Sequence, residues 1–280
     1  MQTTSKIFIS LLFCLALSLA SGYGSEGEAT VQANIAEQER KAGERMVLTI
    51  KDVEYAFRWC PAGTFMMGSP VSEEGRYDNE TQHRVTLSHG FWMLKTEVTQ
   101  KMWKGVMKNN PSSFKGDKLP VEQVSWNDCQ EYIKKLNELL AGTPGAPTGF
   151  KFSLPMEAQW EYACRAGTTT AYHFGNTLNK EQANFGGGPG AQTKEVGSYP
   201  PNAWGLYDMH GNVREWCSDN YAQHPRGVVI DPVGSLENPL RGLRGGSYLH
   251  QAAQCRSAWR EQSGKAAPGF GLRLALVSEE

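Results

Sequence analysis

The sequence predicts an α+β fold, a single compact domain with little regular secondary structure, and three observations predict it. Glycine is abundant at 30 of 280 residues and tryptophan reaches 8, while charged residues make up only 20%. Such a mixture builds turns plugged by aromatic rings rather than long solvated helices. Only three stretches carry clear helical signatures; the rest alternates short strand-like runs with loops rich in glycine and proline. No composition break, low-complexity tract or repeat divides the chain between Met46 and Leu276.

Each element has a local cause. Residues 1–22 read as a secretory signal peptide: a short basic region ends at Lys6, an apolar run follows from Ile7 to Ala20, and small residues close it. That run is short for a membrane span. Residues 23–46 are polar and glycine-punctuated and read as a linker, leaving 47–278 as the domain. "TQKMWKGVM" is a helix capped by Thr99, with Trp103, Val106 and Met107 on one face. "SWNDCQEYIKKLNELLAG" starts with a capping box, Ser125 and Asp128, and repeats Cys129, Tyr132, Ile133, Leu136 and Leu140 at helical spacing. "LPMEAQWEYACRAG" has Pro155 at the first helical position and Gly167 as its stop. "HRVTLS", "FWML" and "GLRLAL" read as strands.

Charge narrows the function. With 28 basic and 29 acidic residues, the chain has no bulk field to recruit nucleic acid or an anionic membrane. Beyond the signal peptide there is no candidate membrane span, so the mature protein is expected to be exported, periplasmic or secreted. Removing Cys14 with the signal leaves Cys60, Cys129, Cys164, Cys217 and Cys255. An odd count in an oxidising compartment leaves a thiol unpaired or paired outside the chain.

The motifs "PAGTFMMGSP", "FWMLKTEVTQKMW", "LPVEQVSWNDC", "LPMEAQWEYACRAGT", "NAWGLYDMHGNVREWCSD", "LRGGSY", "CRSAWR" and "GFGLRL" follow one another from Pro61 to Leu274. In that order they resemble the sulfatase-modifying-factor family, whose named activity is the formylglycine-generating enzyme. The resemblance implies a fold related to C-type lectin modules. It also implies a reaction, oxidation of a cysteine in a sulfatase to formylglycine, with copper(I) held by two thiolates, a soft-donor pair suited to a soft ion. A sulfatase or another protein or peptide would then be the partner.

The pair is incomplete here. Counting from Gly245-Gly246-Ser247, the first catalytic position holds His250 and the second Cys255, with Ser247 matching the family's active-site serine. Counting from the arginines of "CRSAWR" carries Cys255 three residues past the second position, and both catalytic cysteines are then absent. A His250–Cys255 metal pair and a thiol buried behind arginines both remain open, as does a non-catalytic lectin-like binding or accessory module. The resemblance further implies a structural calcium site at Asp208, Gly211, Val213 and Glu215, against which stands the simpler pairing of Glu215 with one of the arginines. A second calcium site would begin at Asn184 and Phe185, without its downstream aspartate. Cys164 matches half of a family disulfide whose partner position reads as serine or arginine, depending on register; a Cys164–Cys255 bond is the substitute. Glu157 and Glu161, one helical turn apart, read as ion-pair partners of the carboxy-terminal arginines rather than as a catalytic pair.

Overall fold

The computed structural model describes residues 40–279, with the folded unit beginning at Ala42. The segment read as signal peptide lies outside the described residues, as does the linker up to residue 39. The last part of that linker is folded: the amide of Gly43 donates to the Trp59 carbonyl at 2.9 Å, and the first strand starts at Arg45.

Strands β1 (Arg45–Ile50) and β2 (Val53–Cys60) form a hairpin. Its two-residue turn, Lys51-Asp52, takes φ of 47° and 60°, the sense that matches strand twist. β2 continues into β5 (Phe91–Leu94), β12 (Ala275–Ser278) and β6 (Phe150–Ser153), an antiparallel sheet in the order β1-β2-β5-β12-β6. Helices α1 (Gln100–Met107) and α2 (Trp126–Leu140) cover it. Both start as the sequence predicts: Thr99 accepts from the amide of Met102, and Ser125 and Asp128 cap each other's backbone. All five apolar residues read on α2 are buried.

Two smaller sheets complete the molecule. One runs β10 (Arg260–Ser263), β9 (Arg241–Arg244), β7 (Arg214–Asn220), β11 (Phe270–Gly271); the other runs β3 (Gly63–Met67), β4 (His83–Leu87), β8 (Val228–Ile230). Helix α3 (Glu157–Arg165) packs against β3, β7 and β9, so it bridges these two sheets. Its boundaries differ from the sequence reading. Met156 is the cap, placing Pro155 just before the helix, and Ala166, with φ of 45°, ends it ahead of Gly167. "GLRLAL" also splits. Between β11 and β12 the chain crosses from one sheet to another, with Leu272 and Leu274 accepting from Val98 and Leu94 at 2.9 and 2.8 Å. The residue between those two leucines, Arg273, is therefore turned into the junction of the sheets.

Candidate functional site

Four buried arginines organise the interior around α3. Glu157 accepts from Arg260 at 2.7 Å, and Glu161 is gripped by Arg244 and, at 2.8 Å, by Arg165. Arg256 clamps Glu80 and Glu73 at 2.6 Å each. Burial would raise the Glu157 carboxyl, but Arg260 and Arg244 outweigh it and hold the group down to about 2. The ion-pair reading of Glu157 and Glu161 is thus the observed one. Fixed in this way, they are structural anchors rather than a proton-transfer pair.

The loop from Gly245 to Arg260 lies against this frame. Gly246 (φ 72°) must be glycine: a Cβ there would come within 2.6 Å of Cys255 Sγ. Cys255 is fully buried beside Ala171 and Tyr172, and burial pushes its thiol up to about 12. Ser247 is buried as well, its Oγ 3.2 Å from His250 Nδ1. The His250 ring packs 5.1 Å from Trp259, and burial holds it down to about 4. Ser247 and His250 are therefore brought together, with Cys255 packed beneath Gly246. A buried thiol with so high a pKa is a poor nucleophile and a poor metal ligand. The residues present do not fit a two-thiolate copper site.

Cys164 lies against the same loop. All five described cysteines are free thiols, so the substitute Cys164–Cys255 disulfide is not formed. The Cys164 thiol instead faces Ser257 Oγ at 3.6 Å, while Arg260 is committed to Glu157. Of the two residue types expected at the partner position, serine is the one that faces Cys164. Sequence reading missed the histidines around Cys164. His210 is buried, with Nδ1 bonded to the Cys255 carbonyl at 2.7 Å and Nε2 3.9 Å from Cys164 Sγ; His173 stacks on it at 4.8 Å.

The residues of the expected calcium sites are distributed differently. Gly211 (φ 91°) packs so closely on Asn184 that a Cβ would meet its carbonyl at 2.3 Å, and Val213 follows, buried. Glu215, however, spends both oxygens on Arg273, at 2.7 and 2.9 Å, and also accepts from Trp160 Nε1 at 2.6 Å. The arginine pairing is the one seen. The Phe185 carbonyl accepts from the Lys180 ammonium, and Asn184 donates to Gln192 and Asn212. Asp208 behaves otherwise. Its Oδ2 accepts from the Gly197 amide at 2.5 Å, while its buried Oδ1 has no partner. Glu97, which sequence reading passed over, is its neighbour; Oε1 accepts from Asn212 at 3.0 Å and buried Oε2 has no partner. Burial raises both carboxyls, and their mutual repulsion raises Glu97 further. Among the described residues, no group of three or more His, Cys, Asp or Glu side chains gathers as a metal site.

With this geometry in hand, likeness to known proteins is informative. A chaperone protein, LppX, of Paenibacillus barcinonensis is 31% identical over 236 residues, covering 68% of this chain and 81% of that protein. The formylglycine-generating enzyme of Mus musculus is 29% identical over 213 residues, covering 69% of this chain; the chain spans about half of that enzyme's length, 53%. Among solved structures, Treponema denticola variable protein 1 superposes with a TM-score of 0.74 at 30% identity, covering 82% of this chain and 98% of that one. The model of the sulfatase-modifying factor enzyme 1-like domain matches residues 51–277, nearly the whole described chain, and the protein belongs to that family.

Proposed function

We propose that this chain is an exported, non-catalytic member of its family, a lectin-like binding or accessory module for a protein or peptide partner. One observation carries the reading: Cys164 faces Ser257, which supports the register in which Cys255 lies past the second catalytic position. Burial supports it. The one thiol of the loop has no exposed surface with which to receive a substrate cysteine. The relative named as a chaperone supports an accessory role within the same family. Export rests on the amino-terminal pattern of residues 1–22.

The second reading is the family reaction, in which Cys255, with Ser247 and His250 beside it, would act on a sulfatase cysteine. The mouse relative, named as a formylglycine-generating enzyme, keeps that reading in play. The test is direct. Purified mature protein is incubated with copper(I), dioxygen and a sulfatase-derived cysteine peptide, and the peptide is weighed. The expected outcome is an unchanged peptide mass. Conversion to formylglycine that disappears in Cys255→Ala would reverse the proposal.

A further inference from the structure

Strand β8 is short, apolar and exposed. Val228 and Ile230 are 69% and 66% exposed, and the loop after them leaves Val233 and Leu236 in solvent as well. The ladder register carries this surface across the sheet: Val228 aligns with Arg84 and Met66, and Ile230 with Thr86 and Thr64. Residues aligned in this way share a face. The outer face therefore holds two exposed aliphatic side chains, exposed Met66, and two threonines hydrogen-bonded to each other at 2.9 Å. Phe65, Val85 and Val229 take the other face, where Val85 is fully buried and Phe65 packs on Tyr162 of α3.

The edge is open as well. The order β3-β4-β8 gives β8 a neighbour on one side. The Arg84 amide donates to the Gly227 carbonyl, and the Asp231 amide donates to the Thr86 carbonyl at 3.0 Å. In that register the parallel ladder uses the main-chain groups of Val229 and passes over those of Val228 and Ile230. These face away from β4, and among the described residues nothing pairs with them. Proteins usually blunt such edges. β6 is blunted by Asn137, whose side chain donates to the Phe152 carbonyl at 3.0 Å and accepts from its amide at 2.7 Å. β8 carries no such plug among the described residues, yet it is firmly seated. Asp231 accepts from the amide and the hydroxyl of Ser88 at 2.9 and 2.5 Å, tying the end of β8 to the end of β4.

Charge selects the occupant. Arg84 stands exposed in the row between Met66 and Val228, and Arg226 is exposed just before the strand. Neither has an ion-pair partner among the described residues. A second copy laid along this edge would bring its own Arg226, while its Asp231 is already held by Ser88. A lipid surface would cover the aliphatic side chains but leave the amides and carbonyls bare. Refining the binding-module reading, on which this rests, we infer that the open edge of β8 receives an extended, acidic peptide segment of a partner as a fourth strand. Alternate apolar side chains of that segment cover Val228 and Ile230. Neighbouring strands lie about 4.8 Å apart, so an acidic residue in the row of Val228 sits about 10 Å from the Arg84 main chain, within the joint reach of the two side chains. Main-chain bonds supply affinity and the row of side chains supplies choice.

The test uses the mature protein and fluorescent hexapeptides of alternating valine and threonine, with one valine replaced by glutamate, by lysine, or not at all. Fluorescence polarisation should rank the glutamate peptide tightest and the lysine peptide about tenfold weaker. Arg84→Glu should invert that order. Ile230→Lys, a change in solvent that leaves the melting temperature in place, should weaken every peptide at least tenfold. Hydrogen exchange should show the amides of Val228 and Ile230 gaining protection when the glutamate peptide binds. Folded protein that binds none of the peptides would overturn the inference, as would a ranking that Arg84→Glu does not move. A dimer that Ile230→Lys splits would give the edge to a second copy instead, and binding to phosphatidylglycerol vesicles lost in Ile230→Lys would give it to a membrane. Formylglycine production would reverse the proposed function and leave the peptide ranking standing, whereas an unchanged sulfatase peptide with no hexapeptide binding removes the β8 site alone.

Discussion

Around α3, Glu157 and Glu161 enter the core already matched, by Arg260, Arg244 and Arg165. Where the β11–β12 crossover meets the 208–215 loop, three carboxylates share Arg273, and two of them keep a bare oxygen. Both regions are equally sealed from water, so burial does not separate them. Charge matching does. A matched carboxylate with every oxygen bonded is a rivet of the fold, whereas an unmatched one has its pKa raised toward the protonated form. The lesson extends to sulfur. Cys255, the residue that draws the eye in the sequence, is fully buried, and burial pushes its thiol up to about 12.

The largest way to break this comparison is to unmatch a rivet. Arg244→Met should cost about 3–5 kcal/mol in urea unfolding, because Glu161 loses a partner inside the core and the carbonyls of Ser257, Ala258 and Trp259 lose their donor. A loss under about 1 kcal/mol would mean that the arginines are ornamental. Next in size is a gain. In Ser257→Cys, oxidation should join the new thiol to Cys164, since the two side chains already face each other at 3.6 Å. Closing so long a loop stabilises by about 2–4 kcal/mol. Peptide mapping without reductant should show that bond. A Cys164–Cys255 bond in the unaltered protein would instead show that Cys255, not Ser257, is the partner of Cys164.

Much of the scaffold was legible because its causes are local. Thr99 and the Ser125–Asp128 box announce their helices within three residues, and the spacing from Cys129 to Leu140 states which face of α2 is buried. Helix α3 was less so, since all nine of its residues are buried and no polar face sets its limits. The ion-pair role of its glutamates could be read, but not which arginine each would take, because those partners lie 83 and 103 residues away. The site was illegible for the same reason. Glu97 follows an apolar strand in "FWMLKTEVTQ", and nothing nearby says that Asn212, 115 positions on, will fix one of its oxygens. A lone acidic residue closing an apolar run was the available clue.

His173 tests whether an idle polar group costs stability when no ligand is at issue. Both its ring nitrogens are buried without partners, and burial holds its pKa down to about 4 from the ordinary 6.5. The folded protein therefore resists protonating it. Stability from this source is full above pH 6.5 and is lost as pH falls toward 4. His173→Phe should abolish that loss, favouring the variant by about 2 kcal/mol at pH 5 relative to its difference from wild type at pH 7.5. Parallel stability–pH curves for the two proteins would show that His173 does not titrate as described.

The smallest effect sharpens the comparison most cleanly, because it holds geometry constant and changes only the solvent. Glu131 and Lys135 form an (i, i+4) pair on α2 at 3.2 Å, with side chains 49% and 42% exposed. That distance is close to those of the buried pairs. Water screens both charges here, and fixing two long side chains costs entropy, so the pair stabilises by only about 0.3–0.5 kcal/mol. Glu131→Gln should therefore shift the urea midpoint barely beyond error, and the shift should vanish in high salt. Equal losses from Glu131→Gln and Arg244→Met would show that contact distance, not burial, sets the strength of these pairs.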